Sequence, residues 1–166
     1  MDLIAAVDMH WGIGKNGKLL FSLPEDMKFF KETTWGHTVV MGHTTLRSLP
    51  KQAPLKGRRN IVLSRDRSLW IEGAEVCHDF AELAALLRPD ERVFLMGGAS
   101  LYQSLVDSCE RAFVTRVNAA RECDVTLPDL DARPNWKIVE ESEEKEYEGL
   151  TFRFTIYQND CVKPLV

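Results

Sequence analysis

Short apolar segments of strand length alternate with helical segments between residues 3 and 107, and this alternation is the strongest constraint on the fold. The apolar segments are rich in valine, isoleucine and leucine and are bounded by turn-forming or charged residues, which is typical of buried strands. They are residues 3–7, 38–41, 60–63 and 92–96. Strands that alternate with helices at this spacing form a largely parallel sheet with helices on both faces.

The predicted helices have recognisable ends. The first begins at Pro24, because proline suits the first helical turn and acidic residues follow it there. A second covers residues 81–87 and ends before Pro89, and a third covers residues 99–107. A short helix and a loop with proline and glycine are expected between residues 41 and 60.

The C-terminal part has a different pattern, in which apolar and polar residues alternate. Residues 151–157 alternate in this way, which indicates a strand with one buried face. Glu148-Gly149 offers a turn back to a second strand at residues 136–139, and the acidic run 140–148 fits a solvated hairpin arm. We therefore predict an α/β fold: a central mixed, mostly parallel sheet of about eight strands, flanking helices and a C-terminal antiparallel hairpin.

Length and composition narrow the function classes. The 166 residues fit a single domain, residues 1–166, that buries a core without disulfides or metals. A net charge of -4 with mixed basic and acidic residues argues against nucleic-acid binding. Without a signal-like N-terminus or an apolar run of bilayer length, we expect a cytoplasmic protein that binds no membrane. The cysteines and histidines lack metal-ligand spacing, so no metal is expected.

Asp26 places a carboxylate on the side of the first predicted helix that also carries Phe30, since residues four apart share a face. An acid in the first turn can simply complement the helix dipole, an effect of about 0.3–1 kcal/mol, although Glu25 already supplies such a charge. A carboxylate held in an apolar cleft instead serves acid-base chemistry or grips a cationic or amidine-like ligand edge. From this helix alone, the dipole interpretation is slightly favoured.

Two glycine motifs are candidates for dinucleotide contact. Residues 8–22, predicted to form a long loop, contain Gly12-Ile13-Gly14-Lys15-Asn16-Gly17, which has the spacing of a dinucleotide fingerprint. The match is a decoy, because Pro24 follows instead of a helix that opens at the glycines, and position 37 is His37 rather than an acid. We expect a mobile loop that acts as a lid. Gly97-Gly98 is the better candidate, since it joins a buried strand to a helix, although paired glycines also form ordinary turns.

Arginines flank the third predicted strand on both sides. Arg58 and Arg59 precede it, and Arg65 and Arg67 follow it. Solvated charges are the default expectation for such residues. The alternative is a pair of anion sites, because guanidinium groups bind carboxylates and phosphates bidentately.

Taken together, several segments resemble dihydrofolate reductases over about residues 3 to 157, and their order and spacing are more specific than any one segment. They are Ile4-Ala5-Ala6, Ile13-Gly14, Leu23-Pro24-Glu25-Asp26, Val40-Met41-Gly42, Gly57-Arg58-Arg59-Asn60, Met96-Gly97-Gly98-Ala99-Ser100-Leu101-Tyr102 and Asp124-Val125-Thr126-Leu127-Pro128-Asp129. The resemblance implies a mixed sheet flanked by helices and the NADPH-dependent reduction of dihydrofolate to tetrahydrofolate in one-carbon metabolism. It also implies antifolate inhibitors as further ligands and a monomeric state.

The resemblance also implies a set of site residues. Asp26 would pair with the pterin 2-amino group and N3, with Thr115 beside it, and Phe21 completes the catalytic group. Dihydrofolate would contact Ile4, Ala5, Asp26, Met27, Phe30, Lys31, Leu49, Arg58 and Thr115, with Arg58 as the clamp for the glutamate α-carboxylate. NADPH would contact Ala6, Ile13, Gly14, Lys18, Gly42, His43, Thr44, Thr45, Leu63, Ser64, Arg65, Met96, Gly97, Gly98, Ala99, Ser100, Leu101 and Tyr102.

Three positions depart from the family pattern. Leu20-Phe21 stands where Pro-Trp is usual, which removes an indole donor from the water network of the site. His43-Thr44 is less basic than is usual beside the cofactor phosphate, and Leu46 replaces a frequent tryptophan as a packing variation.

Two alternatives stay open. The related pyrimidine reductase of riboflavin synthesis is disfavoured by Leu23-Pro24-Glu25-Asp26 followed by Gly57-Arg58. The other is a ligand-binding pseudo-enzyme in which the change to Phe21 accompanied loss of turnover.

Overall fold

The computed structural model describes residues 1–166, and nine of its twelve strands form one sheet. The strands are β1 (Asp2–Val7), β2 (Gly12–Lys15), β3 (Lys18–Leu19), β4 (Thr38–Gly42), β5 (Arg59–Leu63), β6 (Glu75–Cys77), β7 (Val93–Leu95), β8 (Arg111–Val117), β9 (Val125–Thr126), β10 (Trp136–Glu141), β11 (Lys145–Tyr147) and β12 (Leu150–Asn159). The α-helices are α1 (Pro24–Thr34), α2 (His43–Ser48), α3 (Phe80–Leu86) and α4 (Ala99–Leu105). Short 3₁₀ turns occur at Pro50–Gln52, Val106–Ser108 and Leu130–Ala132. None of these helices combines the length and apolar composition required to cross a bilayer.

The main sheet is mixed and mostly parallel, which confirms the predicted fold class. Its strand order is β10-β12-β8-β1-β7-β4-β5-β6, and β11 also pairs with β12. The six strands from β8 to β6 in that order run parallel, whereas β12 is antiparallel to both β8 and β10. The carboxyl ends of β1, β4, β5 and β7 therefore share one edge, which is where sheets of this kind bind ligands.

Side chains of the sheet pack into separate apolar clusters, and β1 shows the cause. Leu3 and Val7 belong to one buried cluster, whereas Ile4 belongs to a second. In β8, Val114 joins the first cluster and Phe113 the second. Successive residues of a strand point to opposite faces, so the two clusters lie on opposite sides of the sheet. Helix α4 packs on the first side and helix α1 on the second.

Helix α1 begins at Pro24, as predicted, and carries Glu25 and Asp26 in its first turn. It is fixed to the sheet by aromatic packing. Phe29 stacks on Phe154 of β12 with ring centroids 4.6 Å apart, and large buried rings contribute strongly to such contacts. This packing turns the first turn of the helix toward β8.

The prediction of a loop at residues 8–22 was wrong, because strands β2 and β3 form a hairpin there that pairs with β9 in a small antiparallel sheet. The two-residue turn is Asn16-Gly17, with φ values of 53° and 76°, and this dipeptide is a strong hairpin signal. Gly14 is required by close packing, since a Cβ there would lie 2.9 Å from the carbonyl oxygen of Lys18. The hairpin turn and the strand packing thus account for glycines of the Gly-x-Gly-x-x-Gly spacing, which agrees with the interpretation of that motif as a decoy.

The C-terminal hairpin prediction needs one correction. Glu148-Gly149 forms a turn, but it joins β11 to β12, with Tyr147 opposite Leu150. Strand β10 does pair antiparallel with β12, starting with Trp136 opposite Asn159. The acidic run is therefore not only a solvated arm, since it supplies the end of β10 and all of β11.

Candidate active site

The carboxylate of Asp26 meets the sheet at Thr115, a buried residue of β8. The Thr115 hydroxyl donates a hydrogen bond to Asp26 Oδ1 over 2.6 Å. Burial raises the pKa of Asp26 above its ordinary value, and the hydrogen bond from Thr115 only partly offsets this. Glu25 behaves differently, because it is exposed and pairs with Lys145 at 3.3 Å. Of the two acids in this helical turn, Asp26 thus faces the sheet, whereas Glu25 lies at the surface.

The apolar residues predicted to surround this carboxylate form part of one cluster. Ile4, Phe30 and Leu49 pack together with Met96 of the β7–α4 connection. Two predicted substrate residues lie outside this wall. Met27 is 61% exposed at the rim, and Ala5 packs against the cluster on the opposite face of the sheet, because adjacent strand residues alternate. Any contact from Ala5 to a ligand in this cleft must come from its backbone.

Arg58 is held against the C-terminal end of α1 by three contacts. Its Nη1 donates to Thr34 Oγ1 over 3.3 Å, its Nε donates to the Lys56 carbonyl oxygen over 2.8 Å, and its guanidinium lies 5.4 Å from the centre of the Trp35 ring. Lys31 lies over the same ring at 5.6 Å. Burial lowers the pKa of Arg58, but an arginine stays charged under such a shift. Two cations therefore flank one aromatic ring at this end of the helix.

Arg59, the adjacent arginine, has a structural role instead. It forms ion pairs of 2.6 Å with Glu75 and 2.8 Å with Glu91, and its Nη2 also donates to the Leu86 carbonyl oxygen. These contacts saturate the guanidinium and fasten the start of β5 to β6 and α3. Of the two arginines that precede β5, only Arg58 therefore stays available for an anion site.

The predicted cofactor segments converge at the carboxyl edge of the parallel strands. The backbone N–H of Gly42 donates to the Gly97 carbonyl oxygen over 2.9 Å. Thr45 Oγ1 lies 3.2 Å from the point where a Cβ of Gly98 would sit. Tyr102 is buried beneath these glycines, and its hydroxyl donates to the Ile4 carbonyl oxygen over 2.8 Å. The peptide bond between the two glycines is cis. The ends of β4 and β7 are thus joined through backbone contacts.

Ser64 and Arg65 follow β5 at the same edge. Arg65 is exposed, and the Ser64 carbonyl oxygen lies 2.8 Å from Nδ1 of His78. Asp66 introduces a negative charge, because hydrogen bonds from Ser68 hold the pKa of Asp66 below its ordinary value. The edge is therefore polar but only weakly basic.

The remaining predicted cofactor residues lie around this edge. Ala6 pairs in register with Thr115, so the two side chains share the face that carries Asp26. Ile13 is buried and Gly14 lies beside it in the small sheet, whereas Lys18 is exposed on β3. The other predicted positions are strand ends, as in Leu63, or the first turns of short helices, as in Thr44, Ala99, Ser100 and Leu101.

Phe21 precedes α1 and is 8% exposed. It packs with Leu23, Val117 and Phe152. Val117 lies two positions along β8 from Thr115 and so shares its face. Phe21 therefore lines the same face of the sheet as the Asp26 site, one step further along the strand.

The family model described as dihydrofolate reductase matches residues 1–159. The chain belongs to the dihydrofolate reductase family. A dihydrofolate reductase of Neisseria meningitidis is 36% identical over 156 residues, covering 93% of this chain and 95% of the relative. One from Bacillus subtilis is 31% identical over 160 residues, covering 95% and 94%. A dihydrofolate reductase from Enterococcus faecalis, complexed with NADP(H) and RAB-propyl, superposes with a TM-score of 0.85 at 29% identity, covering 96% of this chain and 95% of that one.

A longer relative matches only in part. The bifunctional dihydrofolate reductase-thymidylate synthase of Glycine max is 36% identical over 148 residues, and the chain spans 28% of that protein. These comparisons confirm the resemblance inferred from the sequence.

The structure also shows three residues near the site that sequence reasoning missed: Trp35, Asp8 and Arg121. Trp35 is half exposed and carries both Lys31 and Arg58 on its ring. Asp8 and Arg121 fasten loops beside Phe21. Gly57 packs against the Trp35 ring: its φ is +74°, and a Cβ there would lie 2.4 Å from a ring atom of Trp35. No local pattern marked Asp8 or Arg121.

Proposed function

We propose that this protein reduces 7,8-dihydrofolate to 5,6,7,8-tetrahydrofolate with NADPH, by hydride transfer to pterin C6 and protonation of N5, and so supplies one-carbon metabolism. The observation that carries the proposal is the half-buried Asp26 carboxylate, fixed by Thr115 at 2.6 Å and bordered by Ile4, Phe30 and Leu49. A carboxylate in such an apolar setting suits an amidine-like edge with two N–H donors. The 2-amino group and N3 of a pterin form such an edge.

The substrate tail has a matching partner at the far end of α1. Arg58 is already oriented by Thr34 and Trp35, while its Nη2 carries no protein hydrogen bond. A preorganised guanidinium loses little freedom when it binds a carboxylate bidentately. We therefore assign Arg58 to the glutamate α-carboxylate and Lys31 to the same end of the substrate.

The residues at the carboxyl edge fit a dinucleotide. Glycine backbones at Gly42, Gly97 and Gly98 allow a close approach to phosphates, and Thr45 supplies a hydroxyl beside them. Arg65 is the exposed cation available for a 2′-phosphate. When bound, NADPH supplies the hydride that reduces the pterin. The NADP(H) complex of the Enterococcus faecalis relative supports this assignment.

Asp26 orients and polarises the pterin in this proposal, and a water held under the β2–β3 hairpin carries the proton to N5. One oxygen of Asp26 already accepts from Thr115, which fixes the carboxylate against β8 and leaves its second oxygen for the ligand edge. Phe21 closes the wall beside the site with an aromatic surface that excludes bulk water.

The decisive experiment mixes the protein with NADPH and dihydrofolate and follows nicotinamide absorbance, with the pyrimidine substrate of riboflavin synthesis as the matched alternative. Turnover of dihydrofolate alone is expected. Turnover of the pyrimidine alone would replace this function with the other reductase. Tight binding of both dihydrofolate and NADPH without turnover would identify a pseudo-enzyme.

We also propose that antifolates with an amidine-like edge bind Asp26 in competition with dihydrofolate. Such an inhibitor should bind the native protein and lose most of its affinity for Asp26→Asn, which isothermal titration would measure. Equal affinity for both proteins would place the inhibitor elsewhere.

A further inference from the structure

Arg121 lies in the connection between β8 and β9 and contacts the segment that leads into α1. Its Nη1 donates to the Leu20 carbonyl oxygen over 2.5 Å, and its guanidinium lies 4.5 Å from the centre of the Phe21 ring. A guanidinium above an aromatic face is attracted by the ring quadrupole. One exposed side chain thus contacts both Leu20 and Phe21, the pair that stands where the family usually has Pro-Trp.

The backbone of Arg121 is itself fixed by a buried carboxylate. Asp8, which follows β1 and is 1% exposed, accepts from Arg121 N over 3.0 Å and from Gly12 N and His10 N over 2.8 Å each. Burial acts to raise the pKa of Asp8, but these three backbone donors outweigh it and hold that pKa below its ordinary value. Asp8 therefore stays ionised and locks Arg121 beside the start of the β2–β3 hairpin.

A second arginine makes a similar contact at Trp11, immediately before the hairpin. Arg116 of β8 lies 4.7 Å from the centre of the Trp11 ring and donates to Asp131 over 2.6 Å and to the Tyr157 hydroxyl over 2.8 Å. Trp11 and Arg116 are bound into the core on the sheet face opposite Thr115. The hairpin is thus flanked by two aromatic residues, each covered by an arginine. Only the Arg121 contact faces the cleft.

We propose that Arg121 is a positioning residue that holds Leu20-Phe21 against β8, beside Thr115 and Asp26, in the arrangement that supports reduction. This inference rests on the proposed function. Loss of the side chain removes the ring contact and the carbonyl bond together, so the segment spends more time away from β8. Hydride transfer should then slow by about tenfold, because the wall beside the reacting groups is less well ordered.

The test compares Arg121→Met, Arg121→Lys and Arg153→Met. Arg153 is a matched control, because its Nη1 also donates to a backbone carbonyl oxygen, that of Ser142 over 3.0 Å, but without an aromatic partner. We expect about a tenfold lower kcat and a larger deuterium isotope effect with deuterated NADPH for the Met variant at Arg121, an intermediate result for Lys and native values for Arg153→Met. A merely smaller folded fraction would lower kcat without changing the isotope effect.

Two further measurements keep the inference separate from the proposed function. Hydrogen exchange of residues 12–21 should increase in Arg121→Met and not in the Arg153 control, whether or not the protein turns over dihydrofolate. In the double variant with Phe21→Leu, the kinetic effect of Arg121→Met should largely disappear. The positioning role would be overturned if residues 12–21 of Arg121→Met exchanged at the native rate. It would also be overturned if the kinetic effects of Arg121→Met and Phe21→Leu were fully additive. If the native protein were inactive but exchange in residues 12–21 still increased in Arg121→Met, only the proposed reaction would be overturned.

Discussion

The proposed substrate side and the proposed cofactor side of the cleft are built from different parts of the chain. On the substrate side, side chains such as Asp26, Thr115 and Arg58 are fixed by specific bonds. On the cofactor side, backbone at Gly42, Gly97 and similar strand ends forms the surface, and its charges are exposed and partly opposed by Asp66. Binding on the first side thus depends on individual side chains, whereas binding on the second is spread over many weak contacts. Substitutions should therefore have larger and more ligand-specific effects on the substrate side.

The largest effect is expected at Asp26. Asp26→Asn should lower kcat at pH 7 by roughly 100-fold, because two charge-assisted hydrogen bonds of about 1.5–3 kcal/mol each are weakened. Activity should partly return at lower pH, where dihydrofolate is protonated in solution. Stopped-flow measurement of hydride transfer from pH 5 to 9 gives the profile. Near-native turnover at pH 7 would remove Asp26 from the site.

The same variant should gain stability. Burial raises the pKa of Asp26 in the folded protein above its value in the unfolded chain. The contribution of Asp26 to the free energy of unfolding is therefore complete below the pKa of the unfolded chain, and it is lost as pH rises through the pKa of the folded protein. At pH 7 the buried charge therefore opposes folding, and the amide does not. Thermal melts of the native protein and Asp26→Asn should show a higher Tm for the variant at pH 7 and a smaller difference at pH 4. A lower Tm at pH 7 would contradict the burial of a charged group.

At the far end of the substrate side, Arg58→Ala should raise the KM for dihydrofolate by about 30-fold and change kcat by less than about twofold, since a clamp on the remote tail supplies binding energy. A dihydropterin without the glutamate tail should be nearly indifferent. The neighbouring variant Arg59→Ala is the control: it breaks the ion pairs with Glu75 and Glu91, so Tm should fall while KM is retained. Equal losses for both substrates would contradict the clamp.

This pair of arginines shows where sequence reasoning stops. The two are adjacent, and their roles are set by partners elsewhere: Thr34 and Trp35 for Arg58, Glu75 and Glu91 for Arg59. No local pattern contains that information. Asp26, in contrast, was singled out from the sequence as a candidate, because an acid on an apolar helix face conflicts with its surroundings and such conflicts are visible locally. The helix alone still slightly favoured the dipole interpretation, and the ligand role came from the resemblance.

The fold shows the same division. Apolar periodicity predicted β1, β4, β5, β7 and helix α1, because each buries an apolar side against the sheet. Most of the strands it missed are short, as with β9 and its pairing to β2, but the longer and largely buried strand β8 was missed as well. The Asn16-Gly17 turn was a usable signal, but the residues beside it do not alternate in polarity, so the hairpin was taken for a loop.

On the cofactor side, Arg65→Ala should reduce the preference for NADPH over NADH by about fivefold at low salt, because an exposed cation contributes about 1 kcal/mol. The reduction should shrink at high salt, where exposed charges are screened. Arg67→Ala is the matched control, since that guanidinium already pairs with Glu82 at 3.4 Å. The ratio of kcat/KM for the two cofactors is the measurement. An unchanged ratio would mean that another residue binds the 2′-phosphate.

The smallest effect is expected at Phe21, where the two sides of the cleft meet. The ring already packs with Val117 and Phe152, so an indole at this position adds one hydrogen-bond donor rather than a new wall. A neutral hydrogen bond contributes about 0.5–1.5 kcal/mol, so Phe21→Trp should change kcat/KM by a few-fold and by no more than about tenfold. The native protein should therefore already be an active reductase. A native protein that is inactive and becomes active with Phe21→Trp would show that this one donor controls turnover, and that the wall built by the substrate-side side chains is not sufficient for reduction.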